Sequence, residues 1–144
     1  MKQLLFLMLL LSMLQAQSLK DIKYPNAVVE EVTSIYDGDT FRANIKDYPP
    51  IVGHRMAIRV KGIDTPEIRG KCEIEKVLAR KAKQQTVMML RGAKTIELHN
   101  ISRGKYFRLV ADVYVDGVSL AEILIDSKLA VQYDGGTKTK DWCK

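Results

Sequence analysis

Cysteine is scarce in this chain, with two residues, Cys72 and Cys143, among 144. Two thiols cannot complete the four-ligand zinc site of structural zinc domains. In an oxidising compartment they could pair with each other; spacing alone leaves a bridge and two free thiols equally open. Histidine is as scarce. His54 and His99 have no companion at metal-ligand spacing and read as ordinary surface or loop residues. Aromatic residues make up 7%, too few for an extended platform that stacks bases. Residues 4–14 are apolar apart from Ser12, but this run is shorter than the roughly 20 residues that span a bilayer. There is no internal repeat and no low-complexity tract.

What the chain does contain is enough apolar material, 47% of its residues, for one packed domain. Its first residues stand apart from that domain. Lys2 gives a positive start, the apolar run follows, and Leu14-Gln15-Ala16 offers a small-residue cleavage site. That order is the pattern of a secretory signal over residues 1–16. A polar lead-in over 17–26, a domain over 27–133 and a polar tail over 134–144 complete the expected organisation. The formal charge of +6 falls only to +5 without the leader, because Lys2 is the leader's one charged residue. A basic domain of this kind suits a polyanionic partner such as nucleic acid. Charge alone does not separate that from simple solubility or attraction to an anionic envelope.

Residues 28–35 are rich in β-formers, and Asp37-Gly38 predicts a turn into a second strand over 40–46. Tyr48-Pro49-Pro50 makes 47–53 a loop. A third strand is expected over 56–63, stopped by Asp64-Thr65-Pro66-Glu67. Residues 73–91 form the best helix, with Ile74, Leu78, Ala82 and Met89 near helical spacing and Gly92 as its stop. Strands over 94–98 and 106–115 flank a polar turn at 100–105. Asp116-Gly117 is a second tight turn, and 118–127 a short helix. Five strands with one long interposed helix predict a mainly β, α+β fold: a small barrel with one long and one short helix packed on it.

The chemistry lies in residues that are bland when taken singly. Asp37-Gly38-Asp39-Thr40 reads as a hairpin turn. Thr65, Pro66 and Glu67 read as a helix start, with a cap, a first-position proline and an acid in the first turn. Arg59 and Arg108 read as solvent-facing strand residues. Together they form the set a phosphodiesterase needs. Carboxylates and a backbone carbonyl bind a hard cation. A further carboxylate can take a proton from an attacking water. Two guanidinium groups can grip a phosphate through paired hydrogen bonds, which lysine does less well.

Three segments carry a resemblance: Asp37-Gly38-Asp39-Thr40; Arg59-Val60-Lys61-Gly62-Ile63-Asp64-Thr65-Pro66-Glu67; and Tyr106-Phe107-Arg108-Leu109-Val110-Ala111, running on to Asp116-Gly117. In these the chain resembles the staphylococcal nuclease family, over roughly residues 27–133. The resemblance implies a five-stranded oligonucleotide-binding (OB-fold) barrel. It implies that Asp39 and Asp64 bind Ca2+ through carboxylates and Thr65 through its carbonyl, with Arg59, Glu67 and Arg108 catalytic. Glu67 would act as general base, and the two arginines would clamp the phosphate. Lys105, Tyr106 and Tyr133 would lie near the nucleotide, Tyr133 by the weakest match. The implied reaction is endonucleolytic hydrolysis of DNA and RNA to 3′-phosphate and 5′-hydroxyl ends. The leader pattern at 1–16 separately implies a secreted or periplasmic setting, and a monomer is expected. Asp37 is expected to keep a turn role. Phe107 and Lys128 depart from the family, standing where a small residue and a helix-ending glycine are common. The chain also stops soon after Tyr133, and its tail with Trp142 and Cys143 would cover the side that a longer relative covers with a helix, helped by a Cys72–Cys143 bridge.

Two other readings compete. A barrel of this kind can bind nucleic acid or protein without cutting; against it stands the completeness of the acid-and-arginine set. A basic structural protein of the envelope ranks behind both.

Overall fold

The computed structural model describes Ile22 and residues 24–144. The expected leader, and most of the lead-in, lie outside the described residues.

Strands β1 (Ala27–Ile35) and β2 (Thr40–Ile45) form an antiparallel hairpin. A single helical turn, α1 (Pro50–Gly53), leads to β3 (Met56–Val60), which pairs antiparallel with β2. The short β4 (Ile63–Asp64) follows, and then the long helix α2 (Glu73–Gly92). Next come β5 (Ile96–Arg103), β6 (Arg108–Val115), β7 (Val118–Ser119), helix α3 (Leu120–Asp126) and β8 (Val131–Gln132). β1 pairs with β5 and β5 with β6, both antiparallel. β3 pairs parallel with β6 and closes the ring. The result is a five-stranded closed barrel in an α+β fold of the oligonucleotide-binding type, as expected.

Period-two patterning builds the interior. Along β6, Leu109, Ala111, Val113 and Val115 are buried and the residues between them are not. A pleated strand points alternate side chains to opposite faces. These four meet Phe41, Ile58 and Leu98 from other strands, and Leu120 and Leu124 of α3 join the same core.

Several local expectations are corrected. Residues 47–53 are not all loop: Pro50 opens a helical turn, its fixed φ suiting a first helical position. The third strand ends at Val60 instead of continuing to 63, because Gly62 turns the chain at a φ of 80°. Past that turn, Ile63 and Asp64 pair with Gln132 and Val131 of β8. β5 runs through the proposed turn at 100–105 as far as Arg103. Tyr106 and Phe107 are not in β6; both sit at positive φ, 57° and 52°, at the hairpin tip. The short helix begins at Leu120, capped by the Ser119 hydroxyl, which accepts from the Glu122 N–H.

Thr65-Pro66-Glu67 does not start a helix. The long helix begins at Glu73, after Cys72, whose sulfur accepts from the Glu75 N–H. Its inner stripe is Glu75, Ala79, Ala82, Thr86 and Leu90. Of the four residues expected to face the core, Ala82 does, Leu78 and Met89 are half-buried, and Ile74 is exposed. The helix is turned so that Glu75 points inward.

Candidate active site

The site is assembled where the β1–β2 turn, the end of β3 and the segment after β4 meet. Thr40 lies opposite Arg59 across the β2–β3 ladder, and the Val60 N–H donates to the Asp39 carbonyl at 2.8 Å. That pairing sets the Arg59 guanidinium beside the Asp39 carboxylate, Nη1 to Oδ1 at 2.6 Å. Arg59 Nη2 donates to the Ile63 carbonyl at 3.2 Å and faces Asp64 Oδ1 at 3.5 Å. Asp39 Oδ1 also accepts from the Thr40 hydroxyl, and its Oδ2 from the Thr65 N–H at 3.2 Å. Asp39, Asp64 and Thr65 are all buried, the carboxylates in direct contact with Arg59.

Gly38 earns its place by closeness. Its φ is not positive, contrary to the turn chemistry expected of Asp-Gly. A Cβ there would lie 2.8 Å from the Ala82 Cβ and 2.9 Å from the Thr65 Cγ2. Helix α2 packs directly on this turn, and the Thr86 hydroxyl donates to the Gly38 carbonyl at 2.7 Å. The Asp37 carboxylate accepts from the Asp39 N–H at 3.2 Å, a turn role as expected. Burial first, and the neighbouring Asp39 carboxylate second, push the Asp37 carboxyl up to about 7, against the partial pull of that hydrogen bond.

Glu67 is held by a carboxylate that sequence reasoning missed. Buried Glu75 accepts from the Glu67 N–H at 3.3 Å and from the Lys71 N–H at 2.9 Å. A side chain on Gly70 would collide with that carboxylate. Glu75 therefore shapes the loop that carries Glu67. An acid in the first helical turn ordinarily signals a favourable dipole position, and nothing in its spacing announces that it reaches back across the loop.

Arg108 begins β6, with Ala57 of β3 opposite it. Its Nε is buried without a hydrogen-bond partner among the described residues. A cleft of about 670 Å³ connects these groups, with Arg59, Glu67, Lys105, Arg108 and Tyr133 among its lining residues. Tyr133 lies with its ring centroid 5.8 Å from the Arg59 guanidinium carbon, and its hydroxyl donates to the Gly136 carbonyl. Tyr106 is apart from this lining, 89% exposed and 5.9 Å from the Arg108 guanidinium carbon. Thus Asp39, Arg59, Asp64 and Thr65 form one contact cluster, Glu67, Arg108, Lys105 and Tyr133 face the same cleft, and Tyr106 flanks it.

No local pattern marks Lys138 in advance. Its ammonium lies between two of the acids, 2.7 Å from Asp64 Oδ1 and 2.6 Å from Glu67 Oε1. Burial alone would lower its pKa; the short contacts with Asp64 and Glu67 outweigh that and raise it above the ordinary lysine value.

The donor set fits a hard cation: two buried carboxylates, the neighbouring Glu67 carboxylate and the backbone at Thr65 offer oxygen only. Asp64 Oδ1 is buried and lacks a well-directed hydrogen bond, meeting Arg59 and Lys138 only as charges. An acidic oxygen in that condition is a natural ligand for a positive ion.

The Cys72–Cys143 bridge is present, its Cα atoms 6.0 Å apart across 71 residues of sequence. Trp142, next to Cys143 in the chain, is buried. The grouping of Cys72, Cys143 and Glu75 is thus a disulfide beside a carboxylate, not a metal cage.

A closed five-stranded barrel with a cleft lined by arginines and Glu67, and buried carboxylates beside it, is that of a nuclease-type domain. The staphylococcal nuclease homologue family model matches residues 57–142, more than half of the chain, and the chain belongs to that family. Its members are in general nucleic-acid hydrolases. No curated protein matches the chain significantly.

Proposed function

We propose that this protein is a Ca2+-dependent endonuclease that hydrolyses DNA and RNA and leaves 3′-phosphate and 5′-hydroxyl ends. One observation carries the reading: Arg59, Glu67 and Arg108 line a single cleft, and the buried carboxylates of Asp39 and Asp64 lie against Arg59 beneath it.

In this reading Asp39, Asp64 and the Thr65 carbonyl hold the divalent ion, which supplies positive charge to a phosphate oxygen. Glu67, on a loop braced by Glu75, accepts the proton of the attacking water. Arg108 and Arg59 donate to the phosphate oxygens, and their fixed charge favours the extra negative charge of the transition state. Arg108 lines the cleft and makes no ion pair among the described residues, which leaves its guanidinium available for this role. Lys61 and Lys105 at the cleft wall attract the polyanion. Contacts of this kind are to phosphate and carry no base preference, which supports action on both nucleic acids. In this reading Tyr133, beside Arg59, and Tyr106, at the hairpin tip, meet a sugar or base.

The disulfide supports an oxidising destination, secreted or periplasmic, in line with the leader expected at 1–16. No helix among the described residues is long and apolar enough to cross a membrane.

The test is a digest of plasmid DNA and of RNA by the mature chain across a calcium titration, repeated with chelator, with end-group analysis of the products. Calcium-dependent cleavage to 3′-phosphate ends is expected. Binding without cleavage at every calcium concentration would instead favour a non-catalytic nucleic-acid-binding barrel.

A further inference from the structure

We propose that Lys138 is a tethered internal cation that competes with the divalent ion for Asp64 and Glu67, so that the C-terminal tail sets the metal affinity of the site. The inference rests on the metal site proposed above.

Three observations carry it. The first is position. The Lys138 ammonium contacts Asp64 Oδ1 and Glu67 Oε1 together, at 2.7 and 2.6 Å. It thereby supplies positive charge to the one buried acidic oxygen of the site that has no directed hydrogen bond. A dipositive ion bound by Asp64 would lie within contact range of that ammonium, and like charges so close repel strongly in a partly buried setting. Entry of the ion therefore requires Lys138 to leave.

The second is tethering. Lys138 precedes Cys143 by five residues, and Cys143 is bridged to Cys72 at the start of α2. Trp142 is buried beside it. On the other side, the Tyr133 N–H donates to the Gly62 carbonyl and the Tyr133 hydroxyl to the Gly136 carbonyl. The lysine is thus carried on a short span fastened at both ends. Fully extended, the five residues to Cys143 reach only about 17 Å. A group held this way acts at a high effective concentration, so an ion pair that is weak between free molecules becomes a steady competitor.

The third is selectivity of the contact. Other basic residues at the cleft, Lys61, Lys105 and Arg108, form no ion pair with Asp64 or Glu67 among the described residues. Arg59 holds Asp39 and faces Asp64 from inside the barrel. Lys138 alone enters from the tail, its side chain 42% exposed on the solvent side.

The experiment is calorimetric titration of Ca2+ into the oxidised mature protein, without nucleic acid, for wild type, Lys138→Met and Lys138→Arg. Circular dichroism checks the fold of each variant. Two partly screened ion pairs predict roughly 5- to 30-fold tighter calcium binding in Lys138→Met. Lys138→Arg, which keeps the charge, should stay near wild type. In parallel, hydrogen exchange of residues 134–141 should quicken in wild type when calcium binds, as the lysine is expelled. Equal calcium affinity in wild type and Lys138→Met, or weaker binding in the methionine variant, overturns the competition and leaves the metal site standing. Absence of calcium binding in all three proteins overturns both.

Discussion

Arg59 and Arg108 carry the same charge, yet the structure gives their removal different consequences. Arg59 is the partner of two buried acids, Asp39 and Asp64. Arg59→Ala strands Asp39, while Asp64 keeps its contact with Lys138, and breaking a buried ion pair in this way costs about 3–5 kcal/mol. Unfolding of the metal-free variant by urea should show that loss along with lost activity. Arg108 has an idle buried Nε and no ion pair among the described residues. Arg108→Ala, like Glu67→Ala, should therefore leave the urea midpoint nearly in place while lowering turnover roughly 10²–10⁴-fold. Normal turnover in either variant contradicts the assigned roles. Asp37 offers a test by pH. Its folded carboxyl is raised from 3.8 to about 7 by burial and by Asp39, so the folded state holds the proton more tightly than the unfolded one. Its contribution to stability is complete below about pH 4 and is lost as pH rises through 7. In chelator, wild type should lose stability over that window more steeply than Asp37→Asn; parallel curves would show an unshifted carboxyl. The site acids and arginines were legible because their residue types and spacing carry the chemistry. Glu75 and Lys138 were not, because a carboxylate reaching back over a loop and an ammonium arriving from a tail leave no local pattern.

At the scale of elements, legibility follows periodicity. β6 alternates without a fault, and β1, β2 and the long helix fall within a few residues of their expected places. The failures share a physical cause: a contact made elsewhere overrode a local preference. Thr65, Pro66 and Glu67 have helix-start chemistry, but the Asp39 carboxylate takes the Thr65 N–H and Glu75 takes the Glu67 N–H. The stripe on the long helix is displaced because Glu75 is drawn inward and small residues, Ala79 and Ala82, make the close approach to the barrel. One departure from the family did have a readable outcome. Lys128 follows the end of α3 with φ at 59°, and its N–H donates to the Ile125 carbonyl while that of Leu129 donates to Leu124. This is the left-handed position where glycine ordinarily ends a helix. A residue with a Cβ pays a steric cost there that exceeds the entropy a glycine loses on folding. Lys128→Gly should stabilise the protein by about 0.5–1 kcal/mol, read as a rise in the urea midpoint with an unchanged slope.

At the scale of the whole molecule, the segment after β8 is fastened to the start of the long helix by a covalent bond. Cys143 returns to Cys72 at the mouth of the long helix, closing a loop of 71 residues, and the chain's single tryptophan, Trp142, is buried beside the bridge with Lys140 5.4 Å from its ring. Sequence spacing left the bridge undecided, since only the fold brings positions so distant together. The same closure holds Lys138 over Asp64 and Glu67, so one covalent bond couples the stability of the domain to the state of its site. Removing it gives the unfolded chain back the freedom of that loop, which by the chain-entropy account weakens the fold by roughly 4 kcal/mol. It also unfastens the tail in whatever folded protein remains. Reduction of the native protein, or the paired change Cys72→Ser with Cys143→Ser, should therefore lower the thermal midpoint by roughly 10–20 °C. Below that midpoint it should shift Trp142 emission to the red as the indole meets water. Since Trp142 is the only tryptophan, the signal has one source. An unshifted emission in the folded, reduced protein would show that the tail is held by its packing and that the disulfide does not fasten it.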